Sequence, residues 1–147
     1  MSVSIYVSAQ DVRVPLAAAR VASIARATLA SERVRDAMLS ITFLGTPAMA
    51  RLNSRHFGHR GATDVISFGY KRSRRDSPVV GDVYIAPAVA RANALEHGVP
   101  VREELARLVV HGVLHVLGYE HPESERRTSS PMWKRQERVL SRVLASA

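Results

Sequence analysis

The chain has 147 residues, 21 Lys and Arg against 13 Asp and Glu, a formal charge of +8, 46% hydrophobic residues and no cysteine. At this length folding buries roughly 68–70% of the extended chain's surface, so a single domain over residues 1–147 needs neither disulfides nor a structural metal. The missing cysteines exclude a disulfide scaffold, a disulfide-linked partner, a thiolate zinc site, an iron–sulfur cluster and a cysteine nucleophile, which leaves His, Asp and Glu as metal ligands.

The opening MSVSIYVSAQD alternates apolar and polar residues and reads as a strand from Ser2 to Val7, not as a signal peptide, so the expected location is cytoplasmic. A helix is predicted from Pro15 to about Ala30 with Leu16, Ile24 and Leu29 inward, then a strand from Ala37 to Leu44. Thr46 is the expected cap of a second helix, with Pro47 in its first position and Met49 and Leu52 on its apolar side; the pattern fails between His56 and Gly61. Strands at Asp64–Tyr70 and Gly81–Ile85 flank the charged loop Lys71–Pro78, which is expected to be mobile.

Pro87 opens a helix that Gly98 closes, and Pro100 opens a longer one with Glu103 and Glu104 in its first turn and Gly118 at its end. A last helix begins near Pro131 with a stripe of Met132, Gln136, Val139, Leu140 and Val143. The order β-α-β-α-β-β-α-α-α predicts an α+β fold, a small mixed sheet packed with about five helices. The apolar stretch Leu108–Leu117 is shorter than a bilayer span and holds two histidines, so no membrane association is expected.

The chemistry is concentrated in HGVLHVLGYEH, residues 111–121. His111 and His115 stand four apart, one turn along one helix face, and a left-handed Gly118 allows the chain to turn so that His121 returns to the same point. Three neutral imidazoles with an open fourth position are the donor set of a catalytic zinc. A single helical histidine is ordinarily a satisfied core residue. Here the helix is apolar almost all round, two imidazoles on one side need partners, and half of the 6 histidines lie in this one segment. The spacing equals that of the H-E-x-x-H-x-x-G-x-x-H zinc peptidases, but position 112 is Gly where they carry the general base. A zinc peptidase is therefore the minor alternative.

At these residues the chain resembles the YbeY family of zinc-dependent bacterial endoribonucleases. LNSRHFGHRGATDVISF (Leu52–Phe68), GDVYIA (Gly81–Ala86) and HGVLHVLGYEH carry the resemblance. It implies a fold like the catalytic core of zinc proteases and one zinc per chain on His111, His115 and His121. It further implies hydrolysis of single-stranded RNA, with a role in maturing the 3′ end of small-subunit ribosomal RNA and in ribosome quality control. Single-stranded RNA, ribosomal RNA and ribosomal particles are the implied partners. Three departures stand out: Phe57 falls where the family usually has Arg, Ala62 where it has Pro, and Arg60 where it has an acid. Either Arg55 or Arg60 supplies the phosphate-holding guanidinium from a neighbouring position, or the role is absent.

Glu120, beside His121, is the candidate general base, with an orienting or merely exposed role as the alternative. Glu104 lies seven residues before His111 on the same stripe and reads first as a dipole-stabilising acid, while Asp64 and Asp82 read as turn residues that bind backbone donors. The +8 charge favours a polyanion, although an Arg- and Ala-rich composition also follows from GC-rich coding. Lys71, Arg72, Arg74 and Arg75 are the local candidates for phosphate contact. His56, His59 and His97 need only surface and helix-end roles, and Trp133 reads as core or as an aromatic that stacks a base. A metal-stabilised RNA-binding assembly factor with little or no hydrolytic activity is the main alternative.

Overall fold

The computed structural model describes residues 1–121 and 129–146. Its elements follow the predicted order: β1 (Val3–Gln10), α1 (Ala18–Ser31), β2 (Ala37–Leu44), α2 (Thr46–Phe57), β3 (Val65–Gly69), β4 (Val79–Ile85), α3 (Pro87–His97), α4 (Val101–Val116) and α5 (Pro131–Ala145). The fold is α+β. The sheet runs β1-β2-β4-β3, with β1 parallel to β2, β2 parallel to β4, and β3 antiparallel to β4.

Period-2 alternation assigns the two faces. Leu39, Ile41 and Phe43 of β2 and Val79, Val83 and Ile85 of β4 join one core with α1, α4 and α5. On the other face Ile66 packs with Leu44, Met49 and Ala86, and Phe68 and Tyr84 lean on that smaller cluster under α2. α4 is buried nearly all round: Leu105, Val109, Val110, Val113 and Leu114 are each fully buried, a gain of roughly 1.5–3 kcal/mol per side chain. All five predicted stripe residues of α5 are buried as well, Gln136 among them.

Several element boundaries differ from expectation, among them β4, which begins two residues earlier at Val79, and β3, which is one residue shorter at each end. Gly45, not Thr46, holds the N-cap position of α2, and its carbonyl accepts from Met49 N at 3.0 Å. Pro47 then occupies the second helical position, where its missing N–H is equally an orphan of the helix start. α1 starts at Ala18, after Pro15 and Leu16, with Ala17 as a cap that has no side-chain oxygen to mark it. β1 continues three residues past Val7, in register with β2 to its end.

α4 lies unusually close to the β3–β4 hairpin because three glycines make room. A Cβ at Gly112 would stand 2.5 Å from Val83 Cγ1, one at Gly69 would stand 2.6 Å from the Val116 carbonyl oxygen, and one at Gly81 would overlap the Val116 side chain. Gly69 and Gly81 are partners across the hairpin, so together they form a floor for the last turn of α4. The Ser67 hydroxyl donates to the Gly112 carbonyl at 3.1 Å and fixes the register of helix on strand. Gly69→Ala is expected to cost about 1–3 kcal/mol, because the obstacle is backbone that cannot rotate away. A thermal melt at fixed pH checks this; an unchanged midpoint would show that helix and hairpin are not in close contact.

Candidate metal centre

The close approach sets α4's histidines beside β3. His111 is buried and His115 half-buried on adjacent turns of α4. Beyond Leu117 the chain turns at Gly118, whose φ of 102° is foreign to other residues, and His121 comes back. The ring centroids lie 4.5 Å (His111–His115), 5.1 Å (His111–His121) and 4.9 Å (His115–His121) apart. One nitrogen from each ring falls within 4.8 Å of the others. Three ligands about 2.0–2.1 Å from one zinc require such convergence.

Hydrogen bonding decides which nitrogens face inward. His111 Nδ1 donates to Gln136 Oε1 at 2.5 Å, and His115 Nδ1 donates to the Tyr119 carbonyl at 2.8 Å. Both acceptors are oxygens that can only accept, so both rings carry their proton on Nδ1 and present the Nε2 lone pair. The orientation of the Gln136 amide is itself settled, because its Nε2 donates to Glu137 Oε2 at 2.9 Å. Glu137 in turn receives Arg107 Nε at 3.0 Å, and Arg107 also binds Glu104 and Glu103. Acceptors that hold the outer ring nitrogens are the usual companions of ligating imidazoles, and the donor set fits a divalent metal.

The Tyr119 carbonyl is anchored from a distance. The Tyr119 hydroxyl donates to Glu32 Oε1 at 2.5 Å, and Arg135 Nε binds the other oxygen of the same carboxylate at 2.5 Å. Glu32, just past α1, therefore ties the turn after α4 to α5. Burial pushes the Glu32 carboxyl upward, but the bonds from Tyr119, Arg135 and Ser31 outweigh it and hold its pKa below the ordinary 4.5. For Glu104 burial wins over Arg107 and the pKa rises. In Arg107 three carboxylates overcome the opposing effect of burial and the pKa goes up.

The histidines open on a cleft of about 500 Å³ whose walls include Asn53, Phe57, His59, Ser67 and Glu120. Glu120 is exposed and stands on the cleft wall. Arg55, in the last turn of α2, and Arg60, beyond the left-handed Gly58, are exposed and absent from the cleft wall, where Phe57 and His59 stand instead. Phe57 stacks on Phe68 with centroids 6.1 Å apart, and His56 meets Phe68 edge-on at 5.0 Å. Asn53 Nδ2 donates to the Gly61 carbonyl and so holds that loop. Among the described residues no Lys or Arg lines the cleft. Lys71, Arg72, Arg74 and Arg75 are exposed on the β3–β4 loop, where Arg72 Nη1 reaches the carbonyls of Arg75 and Ser77.

Asp64 accepts from Val65 N at 2.8 Å, the turn role read from sequence, and also from Asn93 Nδ2 at 3.2 Å. Asp82 instead accepts from side chains, the hydroxyls of Ser40 and Tyr70. Gln136 was legible only as part of a stripe, yet a glutamine at a buried position of an apolar stripe signals a partner that must be satisfied. Position 112 faces Val83 in the sheet, so a glutamate there would be driven into the core and not toward the histidines.

A three-histidine donor set in an open cleft, on a helix packed against a mixed sheet, could hold a metal ion in the manner of hydrolytic metal centres. Sequence relatives narrow that class. The family model described as Endoribonuclease YbeY matches residues 5–144, and the chain belongs to that family. A relative named Endoribonuclease YbeY from Beutenbergia cavernae is 38% identical over 135 residues, 86% of this chain and 89% of the relative. One of the same name from Mycobacterium tuberculosis is 35% identical over 147 residues, covering 93% and 82%. Against the Frankia casuarinae relative the identity is 37% over 83% of this chain, which spans 65% of that protein's length. A solution structure from Thermotoga maritima shares the fold with a TM-score of 0.63 over 97% of this chain and 90% of the other, at 20% identity. Among the described residues no helix is long and apolar enough to cross a membrane.

Gln136→Leu removes the acceptor of His111 while keeping the side chain's bulk, and zinc affinity should fall roughly 10–100-fold. Competition with a chromophoric chelator measures it; unchanged affinity would mean that Gln136 does not orient the ring. Because the folded Glu32 carboxyl has the lowered pKa, its stabilisation is present above 4.5 and is lost as pH falls through the folded value. Glu32→Gln should therefore be less stable than the parent at pH 7, with the gap closing in acid. Denaturant melts across pH check this, and a gap that persists in acid would contradict it.

Proposed function

We propose that this chain is a zinc-dependent endoribonuclease that cuts single-stranded RNA and acts on ribosomal RNA, at the 3′ end of the small-subunit species, in ribosome maturation and quality control. The observation that carries the reading is the pair of Nδ1 bonds to Gln136 and Tyr119, which leaves the Nε2 lone pairs of His111 and His115 for the three-histidine cluster on an open cleft. Family membership supports RNA as the substrate. His111, His115 and His121 would hold the ion. When bound there, zinc supplies a Lewis acid that polarises a phosphoryl oxygen and acidifies water.

The chain's own groups do the rest. Glu120 on the cleft wall takes the proton of the attacking oxygen, whether that oxygen belongs to water or to the neighbouring 2′-hydroxyl. Gln136 and the Tyr119 carbonyl keep the imidazoles in one tautomer, so no reorganisation is needed when substrate arrives. Phe57, stacked on Phe68 and 48% exposed, offers an apolar plane at the cleft where the family usually has a guanidinium. Phosphate contact then falls to Arg55 and Arg60 beside the cleft and to Lys71, Arg72, Arg74 and Arg75 on the loop. These positions steer a polyanion by charge and do not clamp the reacting group. The peptidase alternative loses support, since position 112 has no room for its base.

His115→Ala should abolish stoichiometric zinc and RNA cleavage together, whereas Glu120→Gln should keep the zinc and lower kcat roughly 10²–10⁴-fold. Elemental analysis and cleavage of an unstructured labelled RNA check both. Cleavage that survives loss of the metal would overturn the assignment, and RNA binding without any metal-dependent cleavage would favour an assembly factor.

A further inference from the structure

A second cavity, of about 770 Å³, lies beside the metal cleft and is not used by the reading above. It shares Thr63, Asp64 and His111 with the cleft, so the two adjoin at the residues leading into β3 and at one turn of α4. Its volume falls within the range of small-molecule sites. Three features of its wall bear on what it takes.

Trp133, the single tryptophan of the chain, lines it, and among the described residues no hydrogen bond is made by the indole N–H. An aromatic plane with a donor at its rim is a stacking partner for any base. Polar groups face the same space: Asp64 and Asn93, joined by the bond from Asn93 Nδ2 to Asp64 Oδ2, together with His97. The Asp64 carboxylate and the Asn93 Oδ1 are acceptors and suit a ligand edge that carries N–H donors.

The third feature is charge. Arg107 also lines the cavity, but Glu103, Glu104 and Glu137 already bind it, at 3.0 to 3.1 Å. Asp64 and Glu104 stand on the wall as well, and the Arg107 guanidinium is already matched by its three carboxylates, which makes the cavity a poor seat for phosphate and a better one for an uncharged ring. The metal cleft is where a phosphodiester belongs; this cavity is where the base attached to it fits.

We propose that the Trp133 cavity is a nucleobase site that seats one unpaired base of the RNA whose backbone crosses the histidines. The base stacks on Trp133, and its amino edge points to Asp64 and Asn93, so bases with an exocyclic amino group are preferred over uracil. This rests on the RNA reading above. It goes further by naming a specificity determinant on α5 that touches substrate and lies outside the metal centre.

The test uses the full chain with its metal. Trp133 fluorescence is followed while short homopolymers of A, C and U are added, and binding is read in parallel by anisotropy of labelled oligomers. Saturable quenching by A or C oligomers, with U at least about tenfold weaker, supports the site. Trp133→Ala should raise KM for single-stranded RNA roughly tenfold with little change in kcat or zinc content, and Trp133→Phe should recover most of the loss. Anisotropy that reports binding while Trp133 fluorescence stays unmoved overturns this proposal and leaves the nuclease reading intact. An unchanged KM in a folded Trp133→Ala protein does the same. Absence of any RNA binding overturns both.

Discussion

The contact of α4 with the β3–β4 hairpin sets where every functional group stands. Helix on sheet ordinarily keeps a side-chain layer between the two backbones. Here Gly112 on the helix and the paired Gly69 and Gly81 on the strands remove that layer, and the Val116 carbonyl comes within contact of the Gly69 backbone. The histidine face of α4 is brought down beside Ser67 and the start of β3, where the chain leaving Gly118 can bring His121 across. A larger residue at any of the three positions would lift the helix and open the triangle of imidazoles.

Convergence alone does not make a ligand set; the rings must also point their lone pairs inward. That is arranged by groups far apart in sequence. Gln136 of α5 holds His111, the Tyr119 carbonyl holds His115, and Glu32 at the end of α1 holds Tyr119 while binding Arg135 of α5. Behind Gln136, Glu137 and Arg107 complete a line of charge-assisted bonds back to α4. Each member satisfies the next, so the cost of burying polar atoms near the core is met by partners of fixed orientation. The network explains how an apolar helix tolerates two imidazoles without loss of packing.

Much of this was legible from residue order. The i, i+4 histidines with glycine three residues on foretold the triangle, since helical pitch and a left-handed turn are local geometry. The proline and glycine punctuation of α3 and α4 and the α5 stripe were legible for the same reason. Local signals were weaker where the cap residue had no side-chain oxygen, as at Ala17, or where proline suits two successive positions, as at Pro47. What could not be read were tertiary facts. The partner of Gln136, the burial of Glu104, the displacement of Arg55 and Arg60 from the wall that Phe57 and His59 occupy, and the meeting of Asp64, Asn93 and Trp133 around one cavity all depend on how α3, α4 and α5 close on one another.

The metal centre depends on His111 and His115 both being protonated at Nδ1, which leaves their Nε2 atoms to join His121 around one ion. Long-range 1H–15N correlation of the imidazole rings, recorded before and after addition of one equivalent of zinc, observes this directly. The expected spectrum shows the Nδ1–H tautomer in both rings from the outset, and a joint shift of nitrogens from all three rings that is complete at equivalence. An Nε2–H tautomer in either helical ring, or a response confined to two of the three, would contradict it.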